Sequence, residues 1–371
     1  MKKLLFFIPT LTGGGAEKVL INLVNNIDKS KFSVTVLTLF NVGVNRKNLN
    51  KNIEYKYIFN RIFRGNIYLL KIFSPKFLYK YMIKDKYDVI ISYLQGPTTR
   101  IISGCPYDSK IVAWVHTDIN SIRKIKSSYR NENEVIRCYS KYDSIVFVAK
   151  TIKKSFVKTF SNLDMNYKVL YNTLDIEMIK CKSLEAIEEI NYDSNKINII
   201  STGRFTHVKG YERLLEIVAK LINYDKLNIH LYLLGCGELE NKYKEIITKN
   251  NITNNVTLLG YRDNPYKFVK NSDLFVCSSY REGYSTAVTE SVIVGTPVIT
   301  TLCSGMEEIL GKNNEYGIIV KNEDEALYTG LKVLLKDRKK IIELKNKTIE
   351  RSKFFDKNST VKAVEDFIES L

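Results

Sequence analysis

The chain has 371 residues, of which 44% are hydrophobic and 26% are charged, and its formal net charge is +17. This length exceeds one typical domain and suits two, and the composition excludes a disordered or low-complexity chain. No run approaches the roughly 18 apolar residues that a membrane-spanning helix requires. The six cysteines are scattered without a C-x-x-C pair, which fits a reducing cytoplasm and argues against disulfides or zinc.

The first half of the chain alternates short apolar runs with helix-length segments. Its basic and apolar start has some features of a secretory signal, but the apolar run over 4–8 is short and no small-residue cleavage site follows, so a buried first strand is predicted. Continuous apolar runs indicate strands that are buried on both faces. The predicted strands are 3–9, 33–39, 88–93, 110–115, 144–149 and 167–172, with a helix over 15–26.

The second half repeats the same alternation after a polar, acidic segment, 173–196, that is interpreted as a linker. The predicted strands are 197–202, 228–235, 256–260, 273–278, 297–300 and 317–320. An amphipathic helix is predicted over 358–370, with Ser359 or Thr360 as its N-cap. Strands alternating with helices predict parallel sheets with right-handed crossovers, and so two doubly wound α/β domains.

The segment 59–87 concentrates positive charge and aromatic side chains against a single acid, Asp85. Its basic residues are Arg61, Arg64, Lys71, Lys76, Lys80, Lys84 and Lys86, interleaved with Phe63, Tyr68, Phe73, Phe77, Tyr79 and Tyr81. This composition is typical of a surface helix that rests on an anionic bilayer, and the basic stretches 122–130 and 150–158 lie in the same half. A generic basic surface remains an alternative, whereas nucleic acid is disfavoured because no helix-turn-helix, zinc-finger or RNP-like signature accompanies the charge.

A glycine-rich loop, TLTGGGAEKVL, follows the first predicted strand over 10–20. Glycines at Gly13, Gly14 and Gly15 let the backbone approach a phosphate or a sugar closely and open a helix with free N–H groups. The loop matches neither the G-x-G-x-x-G pattern nor a P-loop. A simple tight turn is therefore the alternative interpretation.

Two basic residues, Arg204 and Lys209, follow the strand predicted over 197–202 in the sequence GRFTHVKGYERLL. The N-terminus of a helix carries partial positive charge, so a lysine there is unfavourable unless an anion lies beside it. A diphosphate would provide that anion. Because 57 of the 371 residues are Lys or Arg, coincidence is the alternative.

Two glutamates flank the start of another predicted helix in SSYREGYSTAVTESVIVGTPVIT, residues 278–300. Glu282 precedes the helix, Ser285 is its predicted cap, and Glu290 lies more than a turn inside it among apolar neighbours, which indicates a buried position. The N–H groups of Gly283, Tyr284 and Ser285 lie between the two carboxylates. A nucleotide sugar has a matching layout, with hydroxyl groups at both ends and a diphosphate in the middle.

An ordered set of motifs over nearly the whole chain resembles glycosyltransferase family 4, whose members are retaining enzymes of the GT-B fold. The motifs are GGGAE (13–17), YNTLD (171–175), STGRFTHVKG (201–210), LLGCGELE (233–240), LLGYRDN (258–264), EGYSTAVTE (282–290) and GTPVIT (295–300). The resemblance implies two Rossmann-like domains that face each other across a cleft. It predicts an acceptor-binding domain over 1–175, a nucleotide-sugar-binding domain over 176–355 and a C-terminal helix over 356–371 that returns to the first domain.

The resemblance also implies roles for residues of the second half. Arg204 and Lys209 would hold the donor diphosphate, Glu290 the ribose hydroxyls and Glu282 the transferred sugar, while the backbone around Tyr261 would hold the base. The sequence Gly-Tyr-Ser follows Glu282 where many relatives have Gly-Phe-Gly or Gly-Phe-Pro, which leaves the identity of the donor sugar open.

In the first half, His116 resembles the active-site histidine of the family, and a histidine at a strand end without ligand contact is the alternative. The catalytic candidates are Glu282, His116, Arg204 and Lys209. The substrate-binding candidates are Gly14, Gly15, Asn172, Tyr261, Gly283, Tyr284, Ser285 and Glu290.

The predicted reaction is transfer of a hexose or N-acetylhexosamine, with retention, from a nucleotide diphosphate sugar to an acceptor hydroxyl. A UDP-sugar is the expected donor, and a polyprenyl-diphosphate-linked saccharide of capsule, O-antigen or related polysaccharide synthesis is the expected acceptor, at the inner face of the cytoplasmic membrane. The sequence contains no Asp-x-Asp motif, so we expect neither a metal ion nor an organic cofactor. A nucleotide-sugar 2-epimerase and a non-catalytic nucleotide-sugar-binding accessory protein are the alternatives.

Overall fold

The computed structural model describes residues 1–106 and 108–371, without the side chain of Lys124. Two compact units divide the chain. One unit is formed by Met1–Leu174 together with Lys357–Leu371, and the other by Asp175–Asp356. Each unit is built around one parallel sheet.

In the first unit, seven strands of the described chain form a parallel sheet. They are β1 (Lys2–Ile8), β2 (Phe32–Phe40), β3 (Glu54–Phe59), β4 (Val89–Ser92), β5 (Lys110–Val115), β6 (Ser144–Phe147) and β7 (Asn166–Val169). Their order is β3-β2-β1-β4-β5-β6-β7. The accompanying helices are α1 (Gly15–Asn26), α2 (Asn66–Ile72), α3 (Pro75–Met82), α4 (Pro97–Ile102), α5 (Ile122–Ile125), α6 (Glu132–Tyr139) and α7 (Lys150–Thr159).

The second unit repeats this plan. Its strands are β8 (Ile197–Thr202), β9 (Ile229–Leu234), β10 (Val256–Gly260), β11 (Leu274–Cys277), β12 (Val298–Thr301) and β13 (Ile318–Val320), in the order β10-β9-β8-β11-β12-β13. Its helices are α8 (Ile176–Ser183), α9 (Tyr211–Asn223), α10 (Glu240–Lys249), α11 (Tyr266–Lys270), α12 (Thr286–Val294), α13 (Met306–Leu310), α14 (Asp324–Lys336) and α15 (Arg338–Ser352). The two doubly wound α/β sheets confirm the predicted fold class.

In both sheets the strand order reverses beside the first strand of the unit. The reversal lies between β1 and β4 in the first sheet and between β8 and β11 in the second. All of these neighbours pair in parallel, so their following loops leave from the same edge of the sheet. Ligands of open α/β sheets bind at this edge, at the point of reversal.

Two elements differ from the sequence-based expectation. Strand β3 was not predicted, because it is an edge strand that pairs with β2 and its residues are half-buried or exposed, so it shows no continuous apolar run. The segment interpreted as a linker contains α8, which is capped by the Asp175 side chain and packs against α11 and α12. Polar composition concealed a short helix that belongs to the second unit.

The last helix, α16 (Lys357–Glu369), packs in the first unit. Lys2 Nζ donates to the Ile368 carbonyl at 3.0 Å, and the backbone N–H of Asp28 donates to Glu365 Oε1 at 2.7 Å. The predicted cap was wrong. The helix begins at Lys357, and Thr360, inside the first turn, donates its hydroxyl to the Lys357 carbonyl at 2.8 Å.

The segment 59–87, predicted as one surface helix, contains two. Ser74 caps α3 by accepting from the Phe77 N–H, and Pro75 occupies the first turn, so the chain breaks between α2 and α3. Within the part of the chain that the structure describes, no helix has both the length and the apolar character to cross a bilayer.

Candidate active site

Two charged side chains meet where the strand order of the second sheet reverses. Lys209 lies in the turn after β8, and Glu282 lies in the loop after β11. Lys209 Nζ is 2.7 Å from Glu282 Oε1, and the Ser279 hydroxyl donates to the same oxygen at 2.5 Å. The lysine side chain is 25% exposed and the glutamate side chain 11%. The pair is therefore largely withdrawn from water.

This pairing sets the charge state of Lys209. Burial alone would lower the pKa of the ammonium, but the carboxylate of Glu282 outweighs burial, and the pKa is raised. The exposed Arg204 in the same loop opposes that increase with its own positive charge. The sequence predicted an anion beside Lys209, and in this structure the anion is Glu282. The assignment of Arg204 and Lys209 to a diphosphate, and of Glu282 to a sugar, stays a prediction.

The loop that carries Glu282 is held by Arg213, a residue that the sequence analysis missed. Arg213 is 4% exposed, and its Nε donates to the Ser278 carbonyl at 2.7 Å while Nη2 donates to Asn322 Oδ1 at 2.9 Å. Its guanidinium also lies 3.9 Å from the centre of the Tyr280 ring. The sequence feature that could have indicated this role is the position of Arg213 in the helix α9, four residues before the buried Ile217. A charge on that buried face requires partners.

Helix α12 carries the second predicted carboxylate. The Ser285 hydroxyl accepts from the Val288 N–H at 3.4 Å, and Gly295 ends the helix at φ +82°, as the sequence indicated. Glu290 is 7% exposed, which confirms its predicted burial, and the Tyr266 hydroxyl donates to its Oε1 at 3.4 Å. Burial, and next the Glu290 carboxylate, raise the pKa of Tyr266, so this hydroxyl keeps its proton.

The turn before α12 places Gly283 and the buried Tyr284 directly at the helix start. The first N–H groups of a helix have no partner in the preceding turn, so this end attracts negative charge. A Cβ on Gly305 would lie 2.7 Å from the Gly283 carbonyl oxygen, and Gly305 has φ +77°. The loop after β12 therefore packs closely against the turn and fixes it.

The ends of the neighbouring strands contribute further backbone to this edge. A Cβ on Gly235, which follows β9, would lie 1.9 Å from the Gly203 carbonyl oxygen, so the loops after β8 and β9 touch through their backbones. Tyr261 follows β10 and is 49% exposed, with its hydroxyl 3.2 Å from Asp263 Oδ1. The structure places Tyr261 at the predicted edge of the sheet.

In the first unit, the glycine-rich loop connects β1 to α1. Gly14 is buried, and a Cβ there would lie 2.3 Å from Glu17 Oε2. Glu17 Oε1 in turn accepts from the Thr12 hydroxyl at 2.8 Å. A carboxylate beside the first turn of α1, which begins at Gly15, opposes a phosphate at this position. The geometry favours sugar hydroxyl groups over phosphate among the two ligands that the sequence suggested.

His116 lies just beyond β5 and is 7% exposed. Its ring centre is 4.8 Å from that of Tyr93, and its backbone N–H donates to Gln95 Oε1 at 3.1 Å. Among the described residues, its buried Nε2 atom has no hydrogen-bond partner. Burial lowers the pKa of His116 to about 3, so the ring is neutral at pH 7. A neutral ring with an unpaired nitrogen can accept a hydrogen bond from a hydroxyl group that reaches it.

Asn172 is half-buried and lies three residues beyond β7, at the same edge of the first sheet. The structure thus brings Lys209 and Glu282 into contact in the second unit, whereas His116, Gly14 and Asn172 belong to the first. The described part of the chain contains no group of three or more His, Cys, Asp or Glu side chains arranged to hold a metal ion.

Two family models together match most of the chain. Residues 13–178 match Glycosyltransferase Family 4, and residues 183–353 match Glycosyl transferases group 1.

Two curated proteins of Campylobacter jejuni are similar over nearly their full length. One is the N-acetylgalactosamine-N,N'-diacetylbacillosaminyl-diphospho-undecaprenol 4-alpha-N-acetylgalactosaminyltransferase, 29% identical, with 96% of each chain covered. The other is the GalNAc-alpha-(1->4)-GalNAc-alpha-(1->3)-diNAcBac-PP-undecaprenol alpha-1,4-N-acetyl-D-galactosaminyltransferase, 27% identical, with 96% of this chain and 95% of that protein covered. Among solved structures, HepE of Anabaena in complex with UDP and glucose superposes with a TM-score of 0.80 at 19% identity and covers 100% of both chains. This last similarity concerns the GT-B fold.

Proposed function

This chain belongs to the GT-B glycosyltransferases of family 4 and group 1, and we propose that it transfers a sugar from a UDP-sugar to a polyprenyl-diphosphate-linked saccharide. The sugar is a hexose or N-acetylhexosamine, and the anomeric configuration is retained. The product is an intermediate of a bacterial surface polysaccharide. Two similar Campylobacter proteins, named as acting on diphospho-undecaprenol saccharides, support this acceptor class.

The observation that carries the donor assignment is the contact between Lys209 and Glu282 beside the start of α12. A donor diphosphate at this helix start would draw the Lys209 ammonium away from Glu282, because a phosphate presents more negative charge than one carboxylate. Glu282 would then be free to accept hydrogen bonds from sugar hydroxyl groups. Glu290, buried inside α12, would accept from the ribose diol.

The chemical step follows from these positions. The bond between the anomeric carbon and the β-phosphate oxygen breaks, and the acceptor hydroxyl oxygen bonds to the same face of that carbon. The hydroxyl proton passes to the departing phosphate oxygen. Lys209, Arg204 and the start of α12 stabilise the negative charge that develops on this leaving group, so the proposed reaction needs no metal ion.

The first unit would bind the acceptor. His116, neutral at pH 7 and with its buried Nε2 atom unpaired among the described residues, would accept a hydrogen bond from an acceptor hydroxyl. The carboxylate of Glu17 at the glycine-rich loop would favour hydroxyl groups of the acceptor saccharide over phosphate at that position.

The exposed face of α2 and α3 fits an anionic bilayer. Tyr68, Ile72, Phe77 and Tyr81 are 75%, 68%, 50% and 69% exposed, and the Phe73 and Phe77 rings stack with their centres 4.9 Å apart. Exposed lysines, Lys76, Lys80 and Lys84, alternate with these side chains in the same segment. Apolar side chains bordered by positive charge would enter the headgroup region of the cytoplasmic leaflet and bring the protein to a lipid-linked acceptor.

The decisive experiment measures nucleotide release from UDP-, GDP- and ADP-sugars, with and without a bacterial lipid extract, in the presence of EDTA. We expect release from one UDP-sugar only when lipid is present. Release without lipid would instead indicate an epimerase or a hydrolase, and donor binding without release in any condition would indicate a non-catalytic accessory protein. Dependence on an added divalent metal would refute the metal-independent step.

The membrane contact is tested separately by sedimentation with phosphatidylglycerol vesicles. Changing Lys76, Lys80 and Lys84 to Glu should release the protein from the vesicles. The matched control changes three exposed lysines elsewhere in the first unit, Lys154, Lys158 and Lys168, to Glu. Equal sedimentation of the two triple variants would contradict docking through α2 and α3.

A further inference from the structure

A polar cavity of about 470 Å³ lies in the first unit beside the end of α2 and the start of α6. The helix α2 packs against the single turn Lys126–Ser128, and the cavity opens between this turn, Lys71 and the start of α6. Ser127, Asn131 and Asn133 supply polar side chains to its wall. We call it the α2–α6 cavity, and its size is within the range of small-molecule sites.

The lining of the α2–α6 cavity carries a surplus of positive charge. Lys71, Lys126 and Arg130 line it together with a single acid, Glu132. Glu132 Oε1 lies 3.6 Å from Nε of Arg123, so this acid has a basic neighbour outside the lining. Polar donors with a net positive charge are the groups that bind phosphate.

A buried ion pair fixes the wall of the cavity. Arg100 is 1% exposed, and its Nη2 atom lies 2.9 Å from Oε1 of Glu134 on α6. The same guanidinium donates at 2.8 Å to the carbonyls of Leu70 and Phe73, at the end of α2. Arg130 donates its Nε to the Lys71 carbonyl at 2.6 Å. Arginines thus clamp the end of α2 to α6, and the cavity between them is preorganised.

The α2–α6 cavity adjoins the surroundings of His116. Ser128 ends the turn Lys126–Ser128 beside the cavity, and its hydroxyl lies 3.4 Å from the position of a Cβ on Gly96. The residue before Gly96, Gln95, accepts the His116 backbone N–H through its Oε1 atom. On its other side, Lys71 shares α2 with the exposed Tyr68 and Ile72. Direct contacts therefore link the turn beside the cavity to the surroundings of His116, and Lys71 links the cavity to the face proposed to enter the bilayer.

We propose that the α2–α6 cavity binds the diphosphate of the lipid-linked acceptor. The polyprenyl chain would leave the cavity over the exposed apolar side chains of α2 and α3, and the saccharide would extend towards His116. Lys71 and Lys126 would meet the phosphate charge, while Ser127 and Asn133 would donate hydrogen bonds. This inference rests on the proposed function and names the position of the lipid end of its acceptor.

The test compares vesicle binding by the full chain and by the double variant Lys71→Gln, Lys126→Gln. Vesicles of phosphatidylcholine are used plain, with phosphatidylglycerol, or with undecaprenyl diphosphate. The matched control, Lys154→Gln with Lys158→Gln, removes the same charge from α7, which does not line the cavity. A second variant, Ser127→Asp, adds a negative charge to the wall and leaves both lysines in place.

We expect the wild-type protein and the control to prefer undecaprenyl diphosphate vesicles over plain vesicles by about tenfold or more, as two charge-assisted contacts permit. The double variant and Ser127→Asp should lose this preference and keep their binding to plain vesicles. Equal preference in all four proteins would overturn the proposal. An equal loss on phosphatidylglycerol vesicles would also count against it, because the cavity would then bind phospholipid headgroups in general.

The readout separates this proposal from the proposed function. Nucleotide release in the presence of lipid tests the transferase reaction, and vesicle preference tests the cavity. If the double variant Lys71→Gln, Lys126→Gln transfers sugar as fast as wild type, only the proposal that the cavity binds the acceptor diphosphate is refuted. Absence of nucleotide release from any donor, with vesicle preference intact, would refute the transferase reaction alone.

Discussion

The ion pair between Lys209 and Glu282 predicts opposite changes in UDP affinity when its two ends are altered. In the structure Glu282 holds the ammonium that we assign to the donor diphosphate, so UDP must compete with a carboxylate 2.7 Å away. Glu282→Gln removes this competition and should tighten UDP binding. Lys209→Met removes the phosphate-binding charge and should weaken it.

The magnitudes follow from the geometry. Two unit charges 2.7 Å apart attract each other by about 6 kcal/mol at an effective dielectric constant of about 20, before desolvation is subtracted. A hydrogen bond to a charged group retains a net of about 1.5–3 kcal/mol, and the smaller value corresponds to roughly tenfold in affinity. We therefore expect UDP to bind Glu282→Gln about tenfold more tightly and Lys209→Met at least tenfold more weakly.

Titration calorimetry with UDP measures both changes, and a transfer assay accompanies it. Both variants should lose transfer activity, and Lys209→Met by about 10²- to 10³-fold, the usual effect of removing one group that stabilises developing charge. The control is Asp225→Asn, because Asp225 pairs with Lys332 elsewhere in the same unit. Weaker UDP binding by Glu282→Gln, or a change in the control, would refute the competition between the carboxylate and the diphosphate.

Three further predictions use other residues. Glu290→Gln should weaken UDP binding by about 10- to 100-fold in calorimetry, since a carboxylate that accepts from hydroxyl groups becomes an amide, and unchanged affinity would exclude the ribose contact. Burial lowers the pKa of His116 to about 3, whereas the pKa of histidine in the unfolded chain is near 6.5. The free energy of unfolding should therefore decrease as the pH drops from about 6.5 towards 3, by at most about 1.4 kcal/mol per pH unit. His116→Gln should lack that slope in urea unfolding, and its activity relative to wild type should stay constant from about pH 6 to 8. Burial raises the pKa of Glu134, but the hydrogen bonds from Arg100 and from the Arg130 N–H lower it by more. The net pKa is therefore lowered. The stability that this carboxylate contributes is thus present above about pH 4.5 and lost in acid. Glu134→Gln should therefore lower the free energy of unfolding by about 3–5 kcal/mol near neutral pH, and the difference from wild type should shrink as the pH falls. A constant difference at all pH values would contradict this prediction.

Much of the fold could be predicted because the interior strands are continuous apolar runs. The interior strands β5 and β8 coincide with their predicted bounds, and so do the edge strand β10 and helix α1. The edge strand β3 was not predicted because its charged residues, Glu54 and Lys56, interrupt the apolar run, whereas β10 carries no charge. Strand pairing depends on residues far apart in the chain, so local hydrophobicity does not indicate it.

The candidate site could be predicted only in part. Local sequence was enough for Ser285 as a cap and for the burial of Glu290, since both depend on residues within one helix. The contact between Lys209 and Glu282 joins residues 73 positions apart and arises from the reversal of strand order. The buried Arg213 satisfies its charge through the Ser278 carbonyl and other distant groups, so its role was visible only in three dimensions.

The packing of α16 in the first unit affects how the protein folds during its synthesis. Val361, Val364, Phe367 and Ile368 are buried, and Lys2 and Asp28 bond to this helix from the opposite end of the chain. During synthesis at about 5–20 residues per second, the 182 residues of Asp175–Asp356 require roughly 10–40 s. The amino-terminal unit therefore waits on the ribosome with the surface for α16 uncovered, and the later unit can fold before the earlier one is complete.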